Sequence, residues 1–241
     1  MLRPSISLLT SITLFFLSSC GNKSEQKSDI ENAPKTGLIE NRVDSIKSEI
    51  EKEGIEEVEF VLTEENAIDF FFNYAKEVKE TKARITTNMG SFTIQLYDNV
   101  PYHKGNFIYL IKKGYFDNTQ FHRIVKNFII QGGNSDDKAT GKKRAKIGRY
   151  LLPPDTRKGH KHHRGTISMP SSERDNPHKL ASPYEFFIVV TKPGSYHLDG
   201  SYTPFGRVIK GMDIVDKINK VDVDEGDWPM LNIKILKAEV F

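Results

Sequence analysis

Hydrophobic and polar positions along the chain switch between helical and alternating spacing, and the switches mark its elements. Ile68, Phe71, Phe72, Ala75 and Val78 recur at i, i+3, i+4, i+7 and i+10, with Lys76, Glu77, Lys79 and Glu80 outside that face. This spacing predicts an amphipathic helix within 63–82. Phe92, Ile94 and Leu96 then alternate with polar neighbours, and Asn88 to Gly90 carry turn chemistry, so 84–97 reads as a β-hairpin. Pro101 suits the first turn of a second helix, where its missing N–H leaves no bond unmade. Phe107, Leu110 and Ile111 form that helix's apolar stripe, and Gly114 fits its left-handed C-cap. Short apolar runs follow at 119–131, 166–169, 184–191, 203–209 and 231–236, and a short helix is expected at Met212–Asn219. Many short strands with few helices predict a mainly β fold, a barrel or sandwich with helical caps.

The first residues follow a different logic. Arg3 precedes a mostly apolar stretch, Ile6–Leu17, too short for a spanning helix of roughly 20 residues, so 1–19 reads as a signal peptide. Leu17-Ser18-Ser19-Cys20-Gly21 resembles the lipobox of bacterial lipoproteins, and Cys20 is the only thiol in the chain. The resemblance implies cleavage before Cys20, diacylation of its sulfur and acylation of the new amine. Each buried CH₂ of such chains contributes about 0.8 kcal/mol to membrane attachment. Residues 20–62 read as a lipid-anchored, disordered tether, polar and poor in large apolar groups. Gly21 is not the aspartate that retains lipoproteins in the inner membrane of well-studied bacteria. The expected location is therefore the bacterial cell envelope, at the outer membrane.

Composition narrows the function classes. Charged residues make up 28% of the chain, which excludes a multi-span membrane protein, and one cysteine excludes an intramolecular disulfide. The net charge of +3 is too small to suggest a nucleic-acid binder. It is divided unevenly, with −7 over 21–66 and +9 over 67–241.

The body then becomes specific. Phe121-His122-Arg123-Ile124 followed by Phe128-Ile129-Ile130-Gln131-Gly132-Gly133-Asn134 resembles the central signature of the cyclophilin-type peptidyl-prolyl cis-trans isomerases. Gly165-Thr166-Ile167-Ser168-Met169 with Glu185-Phe186-Phe187-Ile188 resembles its second block. Leu198-Asp199-Gly200, Phe205-Gly206-Arg207-Val208 and Gly211-Met212-Asp213 resemble its third, and Asn106-Phe107 with Gly114-Tyr115-Phe116 fits its first helix. The resemblance spans 83–241. It implies a closed eight-stranded antiparallel β-barrel with two capping helices, to which this chain adds the amino-terminal helix and tether. An eight-stranded barrel is filled by side chains, so the active groove is expected on its outer wall.

The reaction needs neither metal nor cofactor. The C–N bond has partial double-bond character and a rotational barrier of ~18–20 kcal/mol. Twisting destroys the conjugation and returns a lone pair to the imide nitrogen. A donor aimed there binds the twisted state better than either planar one. Arg123 is the candidate donor, permanently charged and carrying five N–H groups. Phe128, Ile129, Phe187 and Leu198 are expected to receive the proline ring and Gln131 to hold the substrate backbone. His122 is expected to be a buried structural histidine, since no proton moves. The expected partners are proline-containing unfolded or exported polypeptides, with the membrane through the lipid anchor, no nucleic acid, and a monomeric state.

Some positions depart from the family pattern. Pro170-Ser171-Ser172 stand where Ala-Asn-Ala is usual, with Ser171 in place of the asparagine that pairs with substrate. Glu185 replaces a glutamine and is expected to compete with substrate for Arg123. His197 stands where many eukaryotic members carry tryptophan and Tyr202 where many carry histidine, so weak cyclosporin binding is expected. The stretch from Ser172 to Glu185 is about five residues longer than in compact members. These substitutions leave open an alternative, a weakly catalytic binding module or chaperone on the same fold. His160-Lys161-His162-His163 invites a metal reading, but Lys158, Lys161 and Arg164 would repel a cation, so the run is expected to be a solvated loop. Nine basic residues from Lys142 to Arg164 face only Asp155 and read as a basic loop; Asp222 to Asp227 reads as an acidic surface turn.

Overall fold

The computed structural model describes residues 60–171 and 177–241. The signal peptide, Cys20 and nearly all of the 20–62 tether lie outside the described residues, as do 172–176 of the lengthened segment.

Strands β1 (Lys82–Thr87) and β2 (Gly90–Leu96) form the expected hairpin, in register from Lys82↔Gln95 to Thr87↔Gly90. Thr87 Oγ1 accepts from Met89 N at 3.0 Å and donates to the Gly90 carbonyl at 2.8 Å, which holds the turn. Six further strands follow: β3 (Gln120–Val125), β4 (Ile129–Asn134), β5 (Thr166–Ser168), β6 (Phe186–Val189), β7 (Pro204–Lys210) and β8 (Ile233–Val240). They close in the order β1-β2-β7-β5-β6-β4-β3-β8, every pair antiparallel. The sandwich alternative is thereby set aside. Ile85, Phe92, Ile94, Phe121, Ile130, Phe186, Ile188 and Phe205 belong to the one large buried core, so the barrel holds side chains and no channel.

Helix α1 spans Ala67–Glu77 and α2 spans Pro101–Lys112, with Pro101 in its first turn and Gly114 just beyond it at φ +62°. Phe107 of α2 meets Phe116, Phe186 and Phe205 at centroid distances of 5.2–5.6 Å. The opposite side of α2 is covered by α1, whose Phe70, Phe71 and Tyr74 pack edge-on against Tyr109. This docking corrects the face read for α1. Ala67 and Phe71 are buried, whereas Ile68 and Phe72 remain 42% and 46% exposed. The position of Tyr109, not the helix's own periodicity, selects which aromatic residues go inside.

Helix α3 (Lys138–Ile147) was not expected, and it takes up the start of the basic run read as a loop. Its sequence shows no apolar stripe, and only Thr140 and Ile147 are buried. Asp137 caps it, accepting from Ala139 N at 2.8 Å. Helix α4 (Met212–Asn219) lies where expected. Among the described residues no helix is long and apolar enough to cross a membrane.

Candidate active site

A β-bulge aims the central side chain. Phe121 pairs with Gly132 and Arg123 with Gln131, so the register shifts between them and His122 is the extra residue. Without the shift, Phe121 and Arg123 would share a face. With it, Phe121 enters the core at 0% exposure while the Arg123 side chain stays 44% exposed. Ladder pairing continues from Gln131 to Phe187 and from Phe187 to Ser168. Arg123, Gln131, Phe187 and Ser168 therefore form one row across β3, β4, β6 and β5.

Beside that row lies an apolar cluster separate from the barrel core. Ile129, Phe187 and Val189 are its buried members, and Val125, Phe128, Leu198 and Tyr202 pack on them half-buried. Strand alternation explains the separation, because Ile130, Phe186 and Ile188 on the same strands point into the barrel. Phe128 is presented by the β3–β4 turn: Asn127 has φ +61°, Phe128 N donates to the Val125 carbonyl at 3.0 Å, and Val190 N donates to the Phe128 carbonyl at 2.7 Å. Tyr202 meets Phe187 edge-on at 5.6 Å, and the His197 ring lies 5.4 Å from Phe128 at 25°. The structure thus brings Phe128, Ile129, Phe187, His197, Leu198 and Tyr202 together. His197 and Leu198 sit on a single 3₁₀ turn, Tyr196–Leu198.

The polar residues divide differently from the sequence reading. Glu185 does not reach Arg123. It accepts from Gln131 Nε2 at 2.8 Å and Asn134 Nδ2 at 3.2 Å, with His122 Nε2 at 3.4 Å. Burial pushes the Glu185 carboxyl up, but hydrogen bonds from His122 and Gln131 and the charge of Arg144 outweigh it and hold the group below its ordinary range. The acid that does meet Arg123 is Asp227, at 3.1 Å from Nη2, in the turn read as mere surface. The missed signal is weak, since 104 residues separate the pair. Asp227 takes one amine; Nη1 and Nε carry no partner among the described residues. His122 is buried, as read. Ser171, beyond the end of β5, bridges to Ala181, and Pro170 accepts from Ser182 N at 2.8 Å.

The His160–His163 run is not one solvated loop. The His162 side chain is fully buried, between Asp199 and Ser168, because these two partners satisfy both ring nitrogens. His160 stacks on Tyr97 at 3.8 Å, and His163 Nδ1 meets the Tyr196 hydroxyl at 2.9 Å. Among the described residues no group of three or more His, Cys, Asp or Glu could hold a metal ion.

Residues 82–240 match the family model for "Cyclophilin type peptidyl-prolyl cis-trans isomerase/CLD". The chain is 39% identical over 162 residues to a peptidyl-prolyl cis-trans isomerase-like 1 of Neurospora crassa, covering 66% of this chain and 94% of that protein. It is 38% identical over 172 residues to a peptidyl-prolyl cis-trans isomerase-like 2 of Rhizopus delemar, covering 70% of this chain but only 31% of that longer protein. The crystal structure of a cyclophilin type peptidyl-prolyl cis-trans isomerase of Cryptosporidium parvum aligns at TM-score 0.57 and 28% identity, over 67% of this chain and 98% of that one. A second structure of that protein was solved in the presence of the dipeptide Ala-Pro and aligns at TM-score 0.56. A closed eight-stranded barrel and a family match over its whole length, with relatives named for one reaction, agree: this chain belongs to the cyclophilin-type peptidyl-prolyl cis-trans isomerases.

Proposed function

We propose that this isomerase acts on X–Pro bonds of exported polypeptides at the bacterial envelope, anchored through an acylated Cys20, with Arg123 as the catalytic residue. The row Arg123–Gln131–Phe187 beside the apolar cluster carries the site reading. A proline ring seated among Phe128, Ile129, Phe187 and Leu198 would bring its imide nitrogen within reach of Nη1 and Nε of Arg123, which Asp227 leaves unengaged among the described residues. Gln131, already turned by Glu185, would hold the substrate backbone, and His197 and Tyr202 would border the next residue.

The energetics set what each part must do. A 10⁵-fold acceleration requires about 7 kcal/mol, whereas one hydrogen bond to a charged group contributes about 1.5–3 kcal/mol. Arg123 therefore supplies the part specific to the twisted state. The groove supplies the remainder by holding the substrate partly turned.

The anchor and location rest on the Leu17–Gly21 motif and the apolar stretch before it. The test is expression of the full chain in a bacterium with radiolabelled fatty acid. Label that is lost on Cys20→Ser supports the lipoprotein reading, and an unlabelled mature chain rejects it. Turnover of a proline-containing peptide by the full chain, lost on Arg123→Ala, supports the site, and turnover unchanged in Arg123→Ala rejects it.

A further inference from the structure

Ser168, His162 and Asp199 form a hydrogen-bonded line under the apolar cluster. His162 Nδ1 lies 2.8 Å from Asp199 Oδ1 and Nε2 lies 3.0 Å from Ser168 Oγ, while the His162 backbone N–H donates to the same Asp199 oxygen at 2.9 Å. That order of residues is the arrangement of a hydrolytic triad. Ser168 and His162 are both at 0% exposure, however, so no acyl group can reach the hydroxyl.

The ends of the line show its use. Ser168 is the ladder partner of Phe187, and the His162 ring runs parallel to the Phe187 ring, 11° off, at 6.1 Å. Asp199 directly follows Leu198, and Ser195 N donates to the His162 carbonyl at 2.7 Å. One residue thus backs the Phe187 ring with its imidazole and holds both ends of the turn that carries His197 and Leu198, the Asp199 end through Nδ1 and its backbone N–H and the Ser195 end through its backbone carbonyl. Burial lowers the pKa of His162, which favours the neutral ring. The neutral tautomer with its proton on Nδ1 fits both partners, since ionised Asp199 can only accept and the Ser168 hydroxyl can then donate to Nε2.

We propose that His162, held by Asp199 and Ser168, is a positioning residue for the isomerase, fixing the Phe187 floor against the Leu198 wall and so setting the width of the proline groove. The proposal rests on the reading that Phe187 and Leu198 receive the proline ring.

The test uses the full chain and proline-containing peptides, with kcat and KM measured separately by NMR exchange. His162→Phe keeps a ring against Phe187 but removes both side-chain hydrogen bonds. Asp199→Ala removes the carboxylate, and Asp199→Asn restores an oxygen able to accept both bonds. The expected result is a KM raised about tenfold in His162→Phe and Asp199→Ala with kcat within about threefold, and a KM near wild type in Asp199→Asn. A downfield Nδ1 proton of His162 should be present in the wild type and lost in Asp199→Ala. Leu62→Ala, which empties a buried position beside α3, gives the effect of lost stability alone. A wild-type KM in folded Asp199→Ala, or a KM no better in Asp199→Asn than in Asp199→Ala, overturns the proposal even if His162→Phe fails to fold. Arg123→Ala separates the two readings: unchanged turnover there rejects the groove itself, whereas lost turnover there with a normal KM in the Asp199 and His162 variants rejects only the positioning role.

Discussion

Asp227 clasps β3 twice beside the catalytic candidate, accepting from Arg123 Nη2 at 3.1 Å through its side chain and from Ile124 N at 2.8 Å through its carbonyl. The acidic turn is therefore part of the site's frame, and its carboxylate orients the guanidinium.

Removing that carboxylate should affect turnover more than stability. The Arg123 and Asp227 side chains are 44% and 36% exposed, and pairs of this kind contribute at most about 1 kcal/mol. Asp227→Ala should leave the urea midpoint nearly unchanged and lower kcat/KM about threefold, as the guanidinium loses its direction. An increase in kcat/KM would mean that the carboxylate competes with substrate.

Acid should destabilise the fold through His103. Its ring is fully buried on α2 with neither nitrogen hydrogen-bonded among the described residues, and burial lowers its pKa from 6.5 to about 3. Between those values the unfolded chain binds a proton that the folded chain excludes, so stability falls as pH falls through 6.5 and levels off near 3. The loss from this residue reaches about 5 kcal/mol at the low end, comparable to a domain's whole stability. Urea titrations from pH 7 to 4 should show that slope, and His103→Phe should flatten it. An equal slope in the variant would contradict the assignment.

Gly133 should not tolerate a side chain. It has φ +102°, and a Cβ there would stand 2.4 Å from the Tyr184 carbonyl oxygen and 3.2 Å from the Glu185 Cα. Gly133→Ala should destabilise by about 2 kcal/mol or more through backbone strain and displacement of the β6 approach. It should also disturb the Gln131–Glu185 bond. Melting temperature together with kcat/KM reads both effects; a wild-type melt would count against the close approach.

His197 stacks on Phe128 where many eukaryotic members of the family place tryptophan. Cyclosporin should therefore bind with a Kd above a micromolar, and His197→Trp should tighten it at least tenfold in a calorimetric titration. Sub-micromolar binding by the unaltered chain would refute this.

How much of this was legible follows from how local each cause is. The hairpin needed only Phe92, Ile94 and Leu96 in alternation with the Asn88–Gly90 turn, and α2 only Pro101, its stripe and Gly114. That Phe128, Ile129, Phe187 and Leu198 would lie together was readable because the family pattern fixes them in order. The outer face of α1 was misread because Tyr109, on another helix, decides it. Helix α3 escaped because its only local cue is the Asp137 cap. His162 and Asp227 were assigned to the surface because their partners lie 37 and 104 residues away, and no periodicity encodes such pairings.

On the proposed mechanism, the Arg123 guanidinium favours the half-turned imide over either planar form. NMR exchange between cis and trans forms of a short Ala-Pro peptide, with the domain at catalytic levels, measures it directly. The wild type should accelerate exchange, and Arg123→Ala should cut kcat/KM at least a hundredfold while the peptide still shifts Phe128 and Phe187 resonances on binding. Exchange as fast in Arg123→Ala as in the wild type would contradict the account.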